Sequence, residues 1–179
     1  MVISIASGVS IAQITQAIGS HKIIRVMPNT PAMVGEAMSA ISVNDKVSSE
    51  ETQEITKVFR SFGKAEVVPE TLISAVVGVS GSAPAYVYLF IESLADGAVA
   101  EGMPRKEAYE FASQTVLGAA KMVLQTNSHP GELKDAVSSP GGTMIAAIEP
   151  LGKSHFRASV IEAVRTATKK DREMSRKDD

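Results

Sequence analysis

The chain has 179 residues, enough for one large domain or two small ones, and its 44% apolar content is typical of globular rather than disordered proteins. Its 18 basic and 20 acidic side chains give a net charge of -2, which argues against a general polyanion binder. The absence of cysteine excludes disulfides and thiolate metal sites. The 3 histidines lie too far apart for metal-ligand spacing, so we expect no metal site.

The first 69 residues alternate between strand and helix patterns. Short β-type runs predict strands over residues 2–5, 23–27, 37–43 and 65–68, and helical spacing predicts helices over about 11–18 and 50–62. We expect Ser48 or Ser49 to cap the second helix and Gly63 to end it. The alternation favours an α/β layer over residues 1–69.

After Pro69 no convincing strand pattern follows. Residues 72–79 predict an apolar helix, although their β-branched side chains leave a strand open as the alternative. Further helices are predicted over 84–101, 104–125, a short stretch from His129, 143–151 and 155–175. The predicted fold class is therefore α/β followed by all-α, with a domain boundary between residues 69 and 70.

Residues 71–91 carry no charge and are long enough to span a bilayer. The segment from Ser80 to Pro84 interrupts them, however, and the helix predicted over 84–101 is apolar on nearly all sides. Because a helix that is apolar all round must be buried, we interpret this region as a subunit interface. Residues 1–20 make a poor signal peptide, and we expect a soluble cytoplasmic protein.

Residues 134–145 combine two serines, a proline, two glycines and a threonine immediately before a helical pattern. Pro140 suits the first position of a helix, and Ser138 or Ser139 can cap it. The N–H groups at such a helix start bind a carboxylate or phosphate readily. An ordinary loop and helix start is the alternative. The sequence has neither a Gly-x-Gly-x-x-Gly nor a Walker-type phosphate loop.

Several motifs in order nevertheless match one family. They are RVMPNTP at 25–31, VSGSAPAY at 79–86, LADG at 94–97, HPG at 129–131 and SSPGGT at 138–143. Together they closely resemble the pyrroline-5-carboxylate reductases, the last enzymes of proline biosynthesis. The resemblance runs from Val2 to about Arg172.

The resemblance implies a Rossmann-type domain that binds NADPH or NADH, followed by a helical domain that forms an intertwined homodimer. In several family members the dimers assemble further into decamers. The implied reaction is hydride transfer from the nicotinamide to the C=N carbon of 1-pyrroline-5-carboxylate, which gives L-proline. On this basis we expect an NAD(P)H-dependent oxidoreductase whose partners are this small substrate and other copies of itself, without nucleic acid or membrane.

The resemblance also assigns the cofactor-binding residues. Ala6, Ser7 and Gly8 match the family segment that lies along the cofactor near the nicotinamide; a plain strand–helix turn is the alternative. Asn29 is expected near the same place, and here the alternative is a turn asparagine that satisfies backbone groups.

Substrate-binding residues are implied at Glu70, Ser139, Gly142, Thr143 and Met144. The last four match the loop and helix start that hold the substrate carboxylate in the family, and Thr143 and Met144 are the positions assigned to catalysis, which we expect to act mainly by positioning. Glu70 matches an acidic position near the family's active site. Its alternative role is a charge at a helix N-terminus.

Two of the chain's departures from the family bear most directly on its function. Met144 stands where relatives often have a second threonine, which puts the role of that hydroxyl in doubt. The family's glycine-rich first strand–turn–helix is absent, so we expect a truncated product that binds NADPH weakly or not at all. A catalytically inactive dimerisation module and a reductase-like regulatory protein are the alternative functions.

Overall fold

The computed structural model describes residues 1–176, which form a four-stranded sheet and a set of helices. The strands are β1 (Val2–Ser4), β2 (Ile23–Met27), β3 (Ala37–Val43) and β4 (Gly63–Val67). They lie in the order β1-β2-β3-β4. β1 is parallel to β2, β2 is antiparallel to β3, and β3 is parallel to β4. The predicted strands and the fold class are confirmed.

Two capped helices accompany the sheet, α1 (Ile11–Ile18) and α2 (Ser49–Arg60). Each begins with a capping box. The Ser10 hydroxyl accepts a hydrogen bond from the N–H of Gln13 at 3.1 Å, and the Gln13 side chain accepts one from the N–H of Ser10 at 2.8 Å. Ser48 and Glu51 form the same arrangement in α2. Of the two predicted caps of α2, Ser48 is therefore the one used.

The sheet is covered on both faces. On one face Ile24, Val26, Ile41 and Ala65 form a buried cluster, against which Ile55 and Phe59 of α2 pack. On the other face Ala40 packs with Ile73 and Val77 from the segment that follows the sheet. Fully burying a large aliphatic side chain stabilises the folded state by about 1.5–3 kcal/mol, so these two clusters stabilise the sheet from both faces.

The prediction that Gly63 ends the second helix is wrong. α2 ends at Arg60, and Gly63 is the first residue of β4. A Cβ atom at Gly63 would lie 2.3 Å from the backbone nitrogen and oxygen of Ala37, and the residue has a φ of +152°. Glycine is needed here because β3 and β4 approach too closely for a side chain.

The segment after the sheet winds tightly and changes its helical type. A 3-10 turn (Glu70–Leu72) leads into α3 (Ile73–Val76) and then into a π turn (Val77–Gly81). The N–H of Ser82 reaches the carbonyl of Val77 at 2.7 Å, five residues back. The helix predicted over 72–79 is thus present, and the strand alternative is excluded.

The remaining helices are α4 (Ala83–Ala100), α5 (Arg105–Thr126), α6 (Pro130–Val137), α7 (Thr143–Lys153) and α8 (Phe156–Arg176). Two compact units result, one of Met1–Pro84 with α8 from Ile161 onward, and one of Ala85–Val160. In the first unit α8 packs on the π turn, where a Cβ atom at Gly78 would lie 2.3 Å from the Thr168 hydroxyl. The predicted domain boundary between residues 69 and 70 stays a prediction.

One stretch of the described chain, Glu70–Ala100, is long and apolar enough to cross a membrane, with 31 residues and a mean hydropathy of 1.5. Only 17% of its apolar window is buried inside the chain. Length and composition alone are weak support for a membrane span, because core helices of soluble proteins pass the same test. Tyr88 and Leu89 of α4 are 60% and 63% exposed, as an interface helix would be in an isolated chain.

Candidate functional site

A tight turn precedes α7. The N–H of Gly142 donates to the carbonyl of Ser139 at 3.0 Å, with Pro140 and Gly141 at the two central positions. Gly141 has a φ of +68°, as the third residue of a type II turn requires. The prediction that Pro140 begins the helix is therefore wrong: Pro140 serves the turn, and α7 begins at Thr143 with Gly142 as its N-cap.

The first turn of α7 leaves its backbone donors open. The first intrahelical bond runs from Ala146 N–H to the Gly142 carbonyl at 3.3 Å. Among residues 1–176, the N–H groups of Thr143, Met144 and Ile145 have no hydrogen-bond partner. Ser138 does not cap them, because its hydroxyl donates to the Lys134 carbonyl at 2.7 Å. The predicted serine cap is wrong, and the predicted open N–H groups are present.

Ser139 lies directly beside this helix start. A Cβ atom at Gly142 would lie 2.5 Å from the Ser139 hydroxyl oxygen, so glycine at this position leaves room for that hydroxyl. Ser139 and Thr143 are exposed, and Met144 is 50% exposed. Ser139, Gly142, Thr143 and Met144 therefore form one accessible surface that combines a hydroxyl, free N–H groups and the positive end of a helix. Such a surface can bind an anion.

Ala6, Ser7 and Gly8 follow β1 and lead into α1, as the strand–helix prediction requires. Gly8 is buried with a φ of +76°, and a Cβ atom there would touch the Met174 side chain at 3.5 Å. Ala6 and Ser7 are exposed. The turn lies at the carboxyl end of the parallel pair β1–β2, the edge at which α/β sheets bind ligands.

Both the oxygen and the nitrogen of the Asn29 carboxamide form hydrogen bonds with backbone groups. Its Oδ1 accepts a hydrogen bond from the N–H of Met38 at 2.9 Å, and its Nδ2 donates to the carbonyl of Ser80 at 3.1 Å. This is the alternative role foreseen for a turn asparagine. Its assignment to the cofactor stays a prediction.

Glu70 lies at a helix N-terminus, which was also its alternative role. Its Oε1 accepts a hydrogen bond from the N–H of Ile11, the first residue of α1, at 2.8 Å. The same oxygen accepts a second one from Nη1 of Arg25 at 2.9 Å. Sequence reasoning missed Arg25, although an arginine in the middle of an otherwise apolar strand is a signal that it has a specific partner.

The predicted site residues fall into two sets. Ser139, Gly142, Thr143 and Met144 lie together in the second unit, and the residues of the 6–8 turn, Asn29 and Glu70 all belong to the first unit. Within the described chain, no group of His, Asp and Glu side chains could hold a metal ion.

Comparison with known proteins places these residues in context. The family described as "Pyrroline-5-carboxylate reductase dimerisation" matches residues 70–174. The chain is 52% identical over 177 residues to a pyrroline-5-carboxylate reductase of Escherichia coli, covering 98% of this chain and 66% of the relative. The corresponding protein of Synechocystis is 49% identical over 177 residues, covering 99% of this chain and 66% of the relative.

Solved structures give the same result. A Plasmodium falciparum pyrroline carboxylate reductase with NADP bound matches with a TM-score of 0.92 and 36% identity, covering 98% of this chain and 71% of that one. A Coxiella burnetii pyrroline-5-carboxylate reductase matches with a TM-score of 0.92 and 34% identity, covering 97% of this chain and 65% of that one. The chain spans about two thirds of the length of the curated relatives and corresponds to their C-terminal portion.

Proposed function

The chain belongs to the pyrroline-5-carboxylate reductase family, and on that premise we propose that it supplies the substrate-binding and self-associating part of an NAD(P)H-dependent reductase of proline biosynthesis. The reaction is hydride transfer to the C=N carbon of 1-pyrroline-5-carboxylate, which gives L-proline. The observation that carries the proposal is the start of α7, where free N–H groups and the Ser139 hydroxyl meet on an accessible surface.

The start of α7 binds the substrate carboxylate. The N–H groups of Thr143, Met144 and Ile145 donate to its oxygens, and Ser139 adds a hydroxyl donor. The helix dipole favours the negative charge by about 0.3–1 kcal/mol at an exposed site. Binding the acid end fixes the ring, so these residues contribute to catalysis by orienting the C=N carbon.

The nicotinamide end of NADPH or NADH is held beside Ala6, Ser7 and Gly8. The turn fits such a ligand because its outer residues are small and exposed and because it ends a strand of a parallel pair. When bound, the cofactor supplies the hydride. Asn29 shapes this edge through its backbone contacts.

The family match is to a dimerisation domain, which indicates self-association. The proposed partner surface is the exposed apolar part of α4 and α5, where Leu89 is 63% and Phe111 65% exposed. A homodimer with intertwined helices covers this surface, and decamers are built from such dimers.

One observation favours a second candidate function. Met144 places a thioether at the second residue of α7, where relatives often carry a hydroxyl. A reductase-like protein that binds the same carboxylate without efficient turnover, or a dimerisation module without catalysis, would tolerate this change.

The proposal is tested by titrating the uniformly ¹⁵N-labelled chain with L-proline and with tetrahydrofuran-2-carboxylate, which keeps the ring and the carboxylate but has no N–H. Both ligands are expected to shift the amide signals of Thr143, Met144 and Ile145 saturably. Gly142→Ala moves the Ser139 hydroxyl and is expected to weaken both responses by about tenfold, the loss of one charge-assisted hydrogen bond. Gly152→Ala, where an added Cβ meets nothing within 4 Å, is the matched control. Absence of these shifts with both ligands would contradict the proposal.

The 179-residue polypeptide itself is expected to bind NADPH weakly and to show no reductase turnover, because it contains no glycine-rich phosphate turn. Measurable oxidation of NADPH by the purified polypeptide with 1-pyrroline-5-carboxylate would contradict this expectation. The proposed carboxylate site would not be affected by that result.

A further inference from the structure

The C-terminal part of α8 belongs to the first unit and packs on it through one helical face. Four residues at helical spacing lie on that face: Val164, Thr168, Asp171 and Ser175. At the near end of the face the contact is very close, because a Cβ atom at Gly78 of the π turn would lie 2.7 Å from the Val164 carbonyl oxygen. The helix is therefore anchored at the π turn.

The contact at the far end of the same face is looser. Met174 and Ser175 lie against the 6–8 turn, where a Cβ atom at the buried Gly8 would be 3.5 Å from the Met174 Cβ and 3.9 Å from the Ser175 nitrogen. These are ordinary van der Waals distances. The Nε2 of Gln13 donates to the Ser175 carbonyl at 3.3 Å, which is long for a hydrogen bond from nitrogen to oxygen.

Asp171 lies between the two contacts and opposes the second one. Its residue is 3% exposed, and neither carboxylate oxygen accepts a hydrogen bond within residues 1–176. The Ser175 hydroxyl donates at 3.0 Å to the backbone carbonyl of Asp171 and leaves the carboxylate without a donor. Burying an ionised carboxylate in this way costs free energy, and water would solvate the group if the end of the helix came away.

We infer that residues 171–176 of α8 form a strap, which opens and closes over the 6–8 turn as a unit while Val164 and Thr168 stay anchored on the π turn. Segments held by few contacts open locally without unfolding the rest of a protein. Opening uncovers Gly8 at the carboxyl end of the parallel pair β1–β2, so the strap controls access to that edge of the sheet. The inference goes beyond the proposed function, since it concerns a motion within the first unit and holds whether or not the turn binds a cofactor.

Amide hydrogen exchange of the ¹⁵N-labelled chain tests the strap. The amides of residues 172–175 and of Gly8 are expected to exchange faster than those of residues 164–168, at rates that low concentrations of urea do not change, as local opening requires. Asp171→Asn removes the buried charge at constant size and is expected to slow exchange at residues 172–175 and at Gly8 alike, by about fivefold or more. Glu173→Gln, at a side chain that is 49% exposed on the same helix, is the matched control and is expected to leave these rates unchanged.

A second variant acts from the other side of the contact. Gln13→Glu keeps the acceptor of the α1 capping box but replaces the donor to Ser175, so it is expected to speed exchange at Gly8 and at residues 172–175 by about fivefold. Gln16→Glu, an exposed position on the same helix, adds the same charge as its control.

The strap has to be distinguished from simple fraying of a helix end. If Asp171→Asn slows exchange at residues 172–175 but leaves Gly8 unchanged, the end of α8 frays without gating the turn, and the inference is overturned. It is also overturned if Asp171→Asn exchanges as fast as the parent at both places, or if residues 164–168 exchange at the same rate as residues 172–175.

Discussion

The carboxamide nitrogen of Asn29 donates to the carbonyl oxygen of Ser80 at 3.1 Å, which joins the end of β2 to the π turn. The other end of the same side chain accepts from the N–H of Met38 at the start of β3. One half-buried side chain therefore satisfies a donor and an acceptor of two backbone segments that lie far apart in sequence. Packing confirms the close approach, since a Cβ atom at Gly81 would lie 2.9 Å from the Met27 methyl group.

Asn29→Ala is expected to lower the free energy of unfolding by about 1–3 kcal/mol, because it leaves the Met38 N–H and the Ser80 carbonyl without their partner. Urea denaturation followed by circular dichroism measures the loss. Asn29→Asp keeps an acceptor for Met38 but turns an oxygen toward the Ser80 carbonyl, so it is expected to destabilise the chain as well. If Asn29→Asp has the same free energy of unfolding as the parent, the hydrogen bond to Ser80 contributes nothing to stability.

Asp171 presents the opposite case, a buried carboxylate without a hydrogen-bond partner in the described part of the chain. It is 3% exposed, and neither of its side-chain oxygens accepts a hydrogen bond within residues 1–176. Asp171→Asn removes the charge at constant size and is expected to raise the free energy of unfolding by about 1 kcal/mol or more. Asp135→Asn, at a side chain that is 73% exposed, is the control and should change little. A lower stability of Asp171→Asn would mean that the carboxylate has a compensating partner.

Glu51 links stability to pH. The hydrogen bond from Lys22 and, next, the one from the backbone of Ser48 hold its pKa below the ordinary value of 4.5. Because the folded-state pKa is lowered, Glu51 stabilises the fold above its unfolded pKa, and this contribution is lost as the pH falls through the folded value. Glu51→Gln keeps the capping box but loses the charge. The variant is therefore expected to unfold more easily than the parent at pH 7, and the difference is expected to become smaller as the pH is lowered toward about 3.

The control for this pH dependence is Glu54→Gln on the same helix, since Glu54 has no hydrogen bond or ion pair within the described chain. Chemical denaturation at both pH values gives the comparison. A parent–variant difference for Glu51 that is the same at both values would show that the Lys22 pair is not its source.

The strands were predictable from sequence because local pattern and burial agree. β2 is almost wholly apolar and four of its five residues are buried, and turn-forming residues follow it directly. The direction of β3 was not predictable, since its antiparallel pairing with β2 depends on contacts across the sheet rather than on its own residues. The π turn is likewise a tertiary feature, because the Ser80 carbonyl is satisfied from Asn29.

The candidate site was predictable where it is local. Residues 138–144 lie within a few positions of one another, so their proximity follows from the sequence. The role of Pro140 does not follow from the sequence, because a φ near −65° suits both the first residue of a helix and the second residue of a turn. The left-handed conformation of Gly141 decides in favour of the turn. The pairing of Arg25 with Glu70 spans 45 residues and required the fold.

Self-association is the next expectation. Within α5, Phe111 is 65% and Leu124 58% exposed, and the family match covers this helix. Light scattering at micromolar concentration is expected to give at least about twice the 18.9 kDa of the chain. Phe111→Asp is expected to weaken association by about tenfold or more, because it places a charge in an apolar contact.

Lys106→Asp is the control for this variant, since it changes the charge of the same helix without removing an apolar side chain. It is expected to leave the mass unchanged. A parent chain that scatters as a monomer would contradict the interface assigned to α4 and α5.

Met144 gives the sharpest test of the site, because it is the second residue of α7 and is 50% exposed beside the open N–H groups. Met144→Thr restores the hydroxyl that relatives often carry and is expected to tighten L-proline binding by roughly two- to tenfold, the range of one added hydrogen bond. Met144→Leu, which changes the side chain without adding a donor, should give no gain. Calorimetric titration measures both. A Thr variant that binds no better than the Leu variant would show that Met144 is an innocuous replacement and would remove the reason to assign this chain a regulatory role.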